Sequence, residues 1–251
     1  MDNALKNLLV ARITDHLKNS KHVAVGASSP IPAASALVAQ VINPGLRVSL
    51  LGSEKYTSFT DGGRELFDCA AQGRIDTFFL SGVQIDGGAN INLVGTGDYP
   101  AMRQRYAGSF GSAYLYHQVP RVILFCWAHS RRTLVKSVDF ISAAGPQNDG
   151  VWRRGGPIAL LTDRCEFGWQ DNLQFVLNSL HPGETPDSIA ENTGFGFDAG
   201  DVQMPDSTSH NSNTLSECAV ADIEEILNDK VLPKLEELYP QFVQRYRQLQ
   251  G

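Results

Sequence analysis

Residues 73–97 read G-R-I-D-T-F-F-L-S-G-V-Q-I-D-G-G-A-N-I-N-L-V-G-T-G. Within them, 75–80 is a short run of apolar and β-branched side chains without helical spacing, which predicts a strand buried on both faces. Ser81-Gly82 breaks that run. Asp86-Gly87-Gly88-Ala89-Asn90 predicts a tight turn, because Gly and Asn tolerate positive φ and Asp bonds its own backbone. Residues 91–94 then predict a return strand, stopped by Gly95-Thr96-Gly97. The result is a buried strand carrying a glycine-rich rim, where polar atoms of a ligand can meet backbone N–H groups.

Upstream of this rim the chain predicts a βαβ unit. Residues 22–26 read as a strand and an Ala-rich helix runs to about Ile42, with Ser29 placed to cap it and Pro30 in its first turn. Asn43-Pro44-Gly45 ends the helix, and 47–51 is the next strand. Such a unit predicts parallel strands and a right-handed crossover. Leu5, Leu8, Leu9, Ile13 and Leu17 put an amphipathic helix in front of it, and 64–72 predicts a short helix leading into the rim strand.

Downstream, 119–127 and 138–142 read as further strands. Residues 158–162, 165–169 and 173–180 alternate with turn signals, which predicts antiparallel strands at one side of the sheet. Thr185-Pro186 opens a helix through about Asn192. A polar loop follows at about 198–213. Thr214-x-x-Glu217 is a capping-box pattern opening a helical tail, 214–251, with its first helix ending near 228–230. The expected fold class is α/β: an open, mostly parallel sheet flanked by helices with some antiparallel strands, as one domain over 1–251.

Composition sets the outer bounds. The chain has 251 residues, 42% apolar and 19% charged, which is ample material for a core. A net charge of −6 argues against a nucleic-acid partner. The four cysteines are widely spaced with no C-x-x-C pair, which predicts buried free thiols and no metal site. The N-terminus has no long apolar stretch and no run approaches a membrane span, so the expectation is a soluble, cytoplasmic protein with no membrane partner.

Several residues can carry chemistry. Glu54 lies just past a βαβ strand, at the carboxyl end, where open α/β sheets place ligand sites. A carboxylate there can attack an activated acyl group, given backbone donors aimed at the developing oxyanion; the alternative is a solvated glutamate beside Lys55. The turns at 82–90 and 108–112 can offer N–H groups to an oxyanion or a phosphate. Asp86, Asn90 and Asn92 serve equally as braces of the first turn. His181 reads as a general base or as a loop histidine on nearby backbone. His129, Arg131 and Arg132, and more weakly Trp152-Arg153-Arg154, form basic corners that can meet phosphates. The chain has no G-x-x-x-x-G-K-[ST], G-x-S-x-G or H-E-x-x-H.

Gly82-Val83-Gln84-Ile85-Asp86, Gly88-Ala89-Asn90-Ile91-Asn92 and Gly97-Asp98-Tyr99 together resemble the G-A-x-Q-[VI]-D-x-x-G-N-x-N…G-D-Y run of family I CoA-transferase β subunits, the glutaconate and 3-oxoacid type. Ala107-Gly108-Ser109-Phe110-Gly111-Ser112-Ala113 looks like that family's P-G-S-G-G-A turn with two substitutions. The stretch 179–186, S-L-H-P-G-E-T-P, followed by Thr193-Gly194-Phe195, resembles its H-P-G-x-T…T-G-F, and 138–142 its V-D-F-I-[ST]. The likeness spans roughly 5–197.

The resemblance implies an α and a β subunit of the same open α/β fold, with acyl-CoA bound between them. It implies that a β-subunit glutamate attacks the thioester, passing through an acyl anhydride to a glutamyl-CoA thioester, and that a carboxylic acid accepts the CoA. Coenzyme A thioester is then a substrate, and no cofactor is held permanently. Ser53-Glu54 matches the start of the family's S-E-[NAT]-G motif, whereas Lys55-Tyr56-Thr57 departs from it. Glu54 is thus the implied nucleophile, with Gly82, Gln84, Asp86, Gly88, Asn90, Gly108, Ser109 and Gly111 as the oxyanion and CoA-binding set. Two alternatives stay open. One is the β subunit of an acyl-CoA hydrolase, like the ring-cleaving members of steroid degradation, whose glutamate sits on the α chain. The other is a non-catalytic acyl-CoA-binding subunit.

Overall fold

The computed structural model describes residues 3–27, 29–53, 55–147, 150–199, 217–238 and 240–248. Glu54, most of the polar loop at 198–213 and Thr214 of the capping-box pattern lie outside the described residues. The chain divides into two compact units.

The first unit holds the described residues up to Leu66, with Arg74–Thr77 and the C-terminal helices. Helix α1 (Asn3–His16) leads to strand β1 (His22–Val25), helix α2 (Pro30–Ile42) and strand β2 (Arg47–Leu50). β1 and β2 pair in parallel, from His22 against Arg47 to Val25 against Leu50, as the βαβ reading requires. Ala33, Ala34, Ala36 and Ala39 of α2 are all buried, so the small residues let this helix lie close on its neighbours. Ser29 occupies the N-cap without a side-chain cap bond. Pro32, at the third helical position, removes one of the two donors that such a cap could satisfy.

The tail packs back on its own unit. Helices α6 (Glu217–Ile226), α7 (Leu232–Leu238) and α8 (Pro240–Gln248) follow one another, and α1 and α2 receive α6 while α2 also receives α8. The first tail helix does not stop at 228–230, as the sequence suggested. It runs on through a π-helical turn, Leu227–Val231. That wide turn precedes Pro233, whose ring would clash with the carbonyl four residues back in a regular helix.

In the second unit the hydrogen-bonded strand order is β11-β10-β9-β8-β3. Here β3 is Thr77–Leu80, with Phe78 onward in this unit, β8 is Arg121–Cys126, β9 Gly156–Thr162, β10 Cys165–Trp169 and β11 Phe175–Leu180. β8 and β9 run parallel, and β9-β10-β11 is an antiparallel meander at the edge. The fold class is the expected α/β one, a mostly parallel sheet flanked by helices with antiparallel strands. Helix α3 (Gly62–Ala71) precedes β3, and α4 (Ser112–Gln118) and α5 (Pro186–Asn192) complete the described set. Thr185 and Ser188 form a reciprocal capping box at the start of α5.

Two expectations change around the rim. The return strand after the tight turn is the short β5 (Ile91–Asn92), which pairs with β4 (Gln84–Ile85) as a separate two-stranded sheet and bridges Ala143 through Ile91. A second small sheet joins β6 (Gly95–Thr96) and β7 (Gln104–Arg105). Residues 138–142 are not a strand. Their N–H groups go elsewhere: Val138 to Asp86 Oδ2, Asp139 to Gln84 Oε1 and Ser142 to Ile91 O.

Candidate functional site

The rim in the second unit is built by side chains that reach back to their own backbone. Asp86 is buried, and its Oδ1 accepts from Gly88 N at 3.0 Å, Asn90 N at 3.1 Å and Asn90 Nδ2 at 3.1 Å. Its Oδ2 accepts from Asn90 Nδ2 at 3.2 Å and Val138 N at 3.3 Å. Asn90 Oδ1 accepts from Gly145 N at 2.9 Å. Gln84 Oε1 accepts from Asn92 Nδ2 at 2.7 Å and from Asp139 N at 3.0 Å. Asp86, Asn90 and Asn92 therefore brace the turn, one of the two roles the sequence allowed them, and Gln84, which the resemblance implied as a binding residue, braces it with them.

Space requires a glycine at Gly82 of the rim and at Gly145 packed against it, whereas a Cβ on Gly88 would meet only the side chains of Asn90, at 3.2 Å, and Asp86, at 3.5 Å. A Cβ on Gly82 would sit 2.8 Å from Gln84 O and from Ile91 Cγ2. A Cβ on Gly145 would sit 1.9 Å from Gly88 O, so the two backbones touch there. The carbonyl of Ala89, a residue at φ 56°, accepts from the buried Tyr116 hydroxyl at 2.9 Å. Tyr116 belongs to α4, whose N-cap is Gly111. One hydrogen bond thus ties the rim to the helix that the 108–112 turn opens.

That second turn is open on one side and closed on the other. Gly108 has φ +97° and clear space where a side chain would project. Ser109 O accepts from Ser112 N at 2.8 Å. Gly111 has no room at all, since a Cβ there would lie 2.1 Å from the Phe67 ring.

In the first unit, the described residues of the loop after β2 are hydrogen-bonded to one another and to the strand. Ser53 is buried, and its Oγ accepts from Tyr56 N at 3.2 Å. Thr57 N donates to Ser53 O at 3.1 Å and Leu50 N to Tyr56 O at 2.9 Å. Behind this loop lies a directed chain. His22 Nδ1 faces only the acceptor Arg74 O, at 2.8 Å, so it carries the hydrogen. His22 Nε2 then accepts from Ser49 Oγ at 2.9 Å, and Ser49 in turn accepts from Ser58 Oγ at 3.2 Å. Burial lowers the His22 pKa, which keeps the ring neutral as this chain requires.

The histidine corner differs from its sequence reading. His129 is buried, with Nε2 2.9 Å from Thr193 Oγ1 and Nδ1 3.0 Å from Thr162 Oγ1. Thr193 gives its own hydrogen to Ile189 O at 2.8 Å, so His129 Nε2 is the donor and Nδ1 the acceptor. Burial, and then the Arg164 charge, push its pKa down to about 4. A buried neutral ring is no phosphate ligand. Arg131 is exposed and its Nε donates to Glu191 O at 2.7 Å. Arg153 reaches Ala144 O and Arg154 reaches Ala71 O, so both bind backbone carbonyls. His181 is also buried, at the start of a turn that Glu184 N closes on His181 O at 3.1 Å. Glu184 pairs both carboxylate oxygens with Arg164, at 2.8 and 2.6 Å. Sequence reading missed Thr162, Thr193 and Arg164. Their partners lie tens of residues away, and no local spacing signals such a cluster.

This cluster makes a pH prediction. Between pH 6.5 and about 4 the unfolded chain binds a proton at His129 that the folded chain does not. Stability is therefore full above the unfolded value and falls as pH drops through this window, by up to about 3 kcal/mol. Asp163, raised by burial, works in the opposite sense near the lower end. The loss is therefore cleanest between about pH 6.5 and 5. Urea denaturation across this range should show it, and His129→Gln should flatten the slope.

Two of the thiols, Cys126 and Cys165, are buried and held unreactive, whereas Cys69 is only half-buried, against the expectation of buried thiols. Burial pushes Cys126 up to about 12 and raises Cys165 as well. Among the described residues, no group of three or more His, Cys, Asp or Glu side chains is placed to hold a metal ion. Among the same residues, no helix is long and apolar enough to cross a membrane.

Known proteins resemble this chain. The family model described as Coenzyme A transferase matches residues 47–192. The B chain of the 3-oxoadipate CoA-transferase of Pseudomonas knackmussii is 35% identical over 133 residues, 49% of this chain and 50% of that one. The B chain of the glutaconate CoA-transferase of Acidaminococcus fermentans is 26% identical over 139 residues, 51% of this chain and 52% of that one. The chain thus spans about half the length of the curated relatives it matches. Solved structures extend the likeness in fold. Glutaconate coenzyme A-transferase from A. fermentans superposes with a TM-score of 0.74 at 18% identity, over 92% of this chain and 95% of that chain. IpdAB of Rhodococcus jostii RHA1 gives 0.74 at 18%, over 93% and 96%. The decarboxylase AibA/AibB gives 0.71 at 22%, over 89% and 94%. The family match takes in the loop after β2, the braced rim and the 107–113 turn together, and the chain belongs to the coenzyme A transferase family.

Proposed function

We propose that this chain is the β-type subunit of an enzyme that moves CoA between an acyl-CoA and a carboxylic acid. The observation that carries the proposal is the single family match, 47–192, which includes Ser53-Glu54 immediately beyond a parallel strand. The Glu54 carboxylate attacks the thioester carbonyl and expels CoA thiolate, leaving an acyl-glutamyl anhydride. The thiolate then attacks the glutamyl carbonyl, releasing the first carboxylate and leaving a glutamyl-CoA thioester. The acceptor carboxylate takes the same path in reverse and leaves as its CoA ester.

In this reading, backbone N–H groups at Gly82, Gly108, Ser109 and Gly111 supply the oxyanion and CoA contacts, and Gly88, whose own N–H is taken by Asp86, belongs to the rim that Gln84, Asp86 and Asn90 hold in place. The partner is an α-type chain of similar fold, a reading supported by the names of the curated relatives, each the B member of its transferase. The acyl-CoA and the carboxylic acid are the substrates, and the site of action is the cytoplasm.

The test is trapping: the protein, with any chain that co-purifies, is treated with short acyl-CoAs and then with borohydride or hydroxylamine. Mass spectrometry should find the modification on Glu54, and an unmodified Glu54 overturns the assignment. A second reading has an observation of its own. Tyr56 occupies the loop where the family pattern has small residues, and its backbone is tied to Ser53 and Leu50. In that reading the chain is a subunit of an acyl-CoA hydrolase whose glutamate lies on the partner, and Glu54→Ala leaves turnover intact.

A further inference from the structure

Phe110 is out of place for an ordinary turn residue. It is 80% exposed, and it holds φ +45°, a conformation that a bulky side chain rarely adopts. Neither its solvation nor its backbone favours that position. The ring does have support from one side. Phe67 lies behind it with ring centroids 5.4 Å apart, and Tyr114, itself 41% exposed, packs edge-on to Phe67 at 5.6 Å. Phe67 is fixed in turn by Gly111, which leaves no space for a side chain between. Two residues before it, a Cβ on Gly108 would meet nothing within 4 Å, so the backbone leading to the ring is uncrowded. A strongly exposed ring supported from behind has the form of a stacking surface.

We infer that Phe110, backed by Phe67 and Tyr114, is a stacking platform for a flat ring on the substrate. The inference rests on the reading of the chain as a CoA-thioester-handling subunit, and adds a determinant of which thioesters it prefers. Two parts of such a substrate offer a flat ring: the adenine of CoA and an aromatic acyl group. One strongly exposed ring, supported from behind by Phe67, fits a planar ligand better than it fits the broad apolar patch that a protein partner needs.

Phe110→Gly removes the ring and relieves the backbone, so folding is not at risk from it, and Phe110→Tyr keeps the ring. The probes are CoA, acetyl-CoA, benzoyl-CoA and S-benzoyl-pantetheine, titrated calorimetrically into the protein with any chain that co-purifies. The expected result is about a tenfold loss of affinity in Phe110→Gly for ring-bearing probes, with Phe110→Tyr near the parent. A loss confined to the CoA-containing probes identifies adenine as the stacked ring; a loss shared by S-benzoyl-pantetheine identifies the acyl ring. Equal affinities in parent and Phe110→Gly overturn the platform and leave the CoA-handling reading standing. Failure of every CoA ester to bind either protein overturns that reading, and the platform with it. Loss of a co-purifying chain in Phe110→Gly, with ligand affinity unchanged, assigns the ring to a subunit interface and also overturns the platform.

Discussion

Glu54→Gln is expected to lower the rate of CoA exchange between an acyl-CoA and a carboxylic acid by about a thousandfold or more. The amide is isosteric with the carboxylate but carries no nucleophilic charge, so neither the anhydride nor the glutamyl-CoA thioester can form. Among the described residues the loop is closed by hydrogen bonds of Ser53, Tyr56, Thr57 and Leu50, and the substitution leaves those in place. Unfolding curves should therefore superpose while turnover is lost. A substantially retained kcat would move the nucleophile to the partner chain and favour the hydrolase reading. Partial loss with a raised KM and unchanged kcat would mean that the carboxylate only helps to bind substrate.

The parts of the fold that sequence could reveal are those fixed by local chemistry. β1, α2 and β2 were legible because their apolar runs are punctuated by Gly, Pro and Asn at each boundary. The antiparallel edge was legible because turn signals separate its strands, and α5 because Thr185-Pro186 opens it. What escaped was set by distant partners. Residues 138–142 have strand-like composition, yet the Asp86 and Gln84 side chains, more than 50 positions earlier, take their N–H groups. Helix α4 hid behind a run of small residues that reads only as a turn. His129 looked like a surface cation, because Thr162 and Thr193 lie 33 and 64 positions away from it. For the site, the residue types of the rim were legible but the ambiguity between bracing and binding was not resolvable. Only geometry shows that the side-chain oxygens of Gln84, Asp86 and Asn90 accept hydrogen bonds from the chain itself.

Asp86→Ala is expected to destabilise the protein by about 3–5 kcal/mol, the largest stability effect of a single substitution at the rim. The carboxylate gathers three backbone donors, Gly88 N, Asn90 N and Val138 N, and the Asn90 amide besides. Removing it strands these donors in a place where Gly88 and Gly145 are already in backbone contact, so water has little room to replace it. Asp86→Asn is the sharper probe. It keeps the volume but turns one acceptor oxygen into a donor, which faces Val138 N or the Gly88 and Asn90 amides and loses a bond there. Denaturant unfolding measures the stability of both variants, and titration with acyl-CoA measures the rim. If the rim's N–H groups receive the thioester, the Asn variant, where still folded, binds acyl-CoA more weakly and turns it over more slowly, because those N–H groups lose their fixed direction. A variant that is less stable yet binds and reacts normally would mean that the brace serves the fold alone. The oxyanion would then have to be received at the other turn, by the backbone of 108–111.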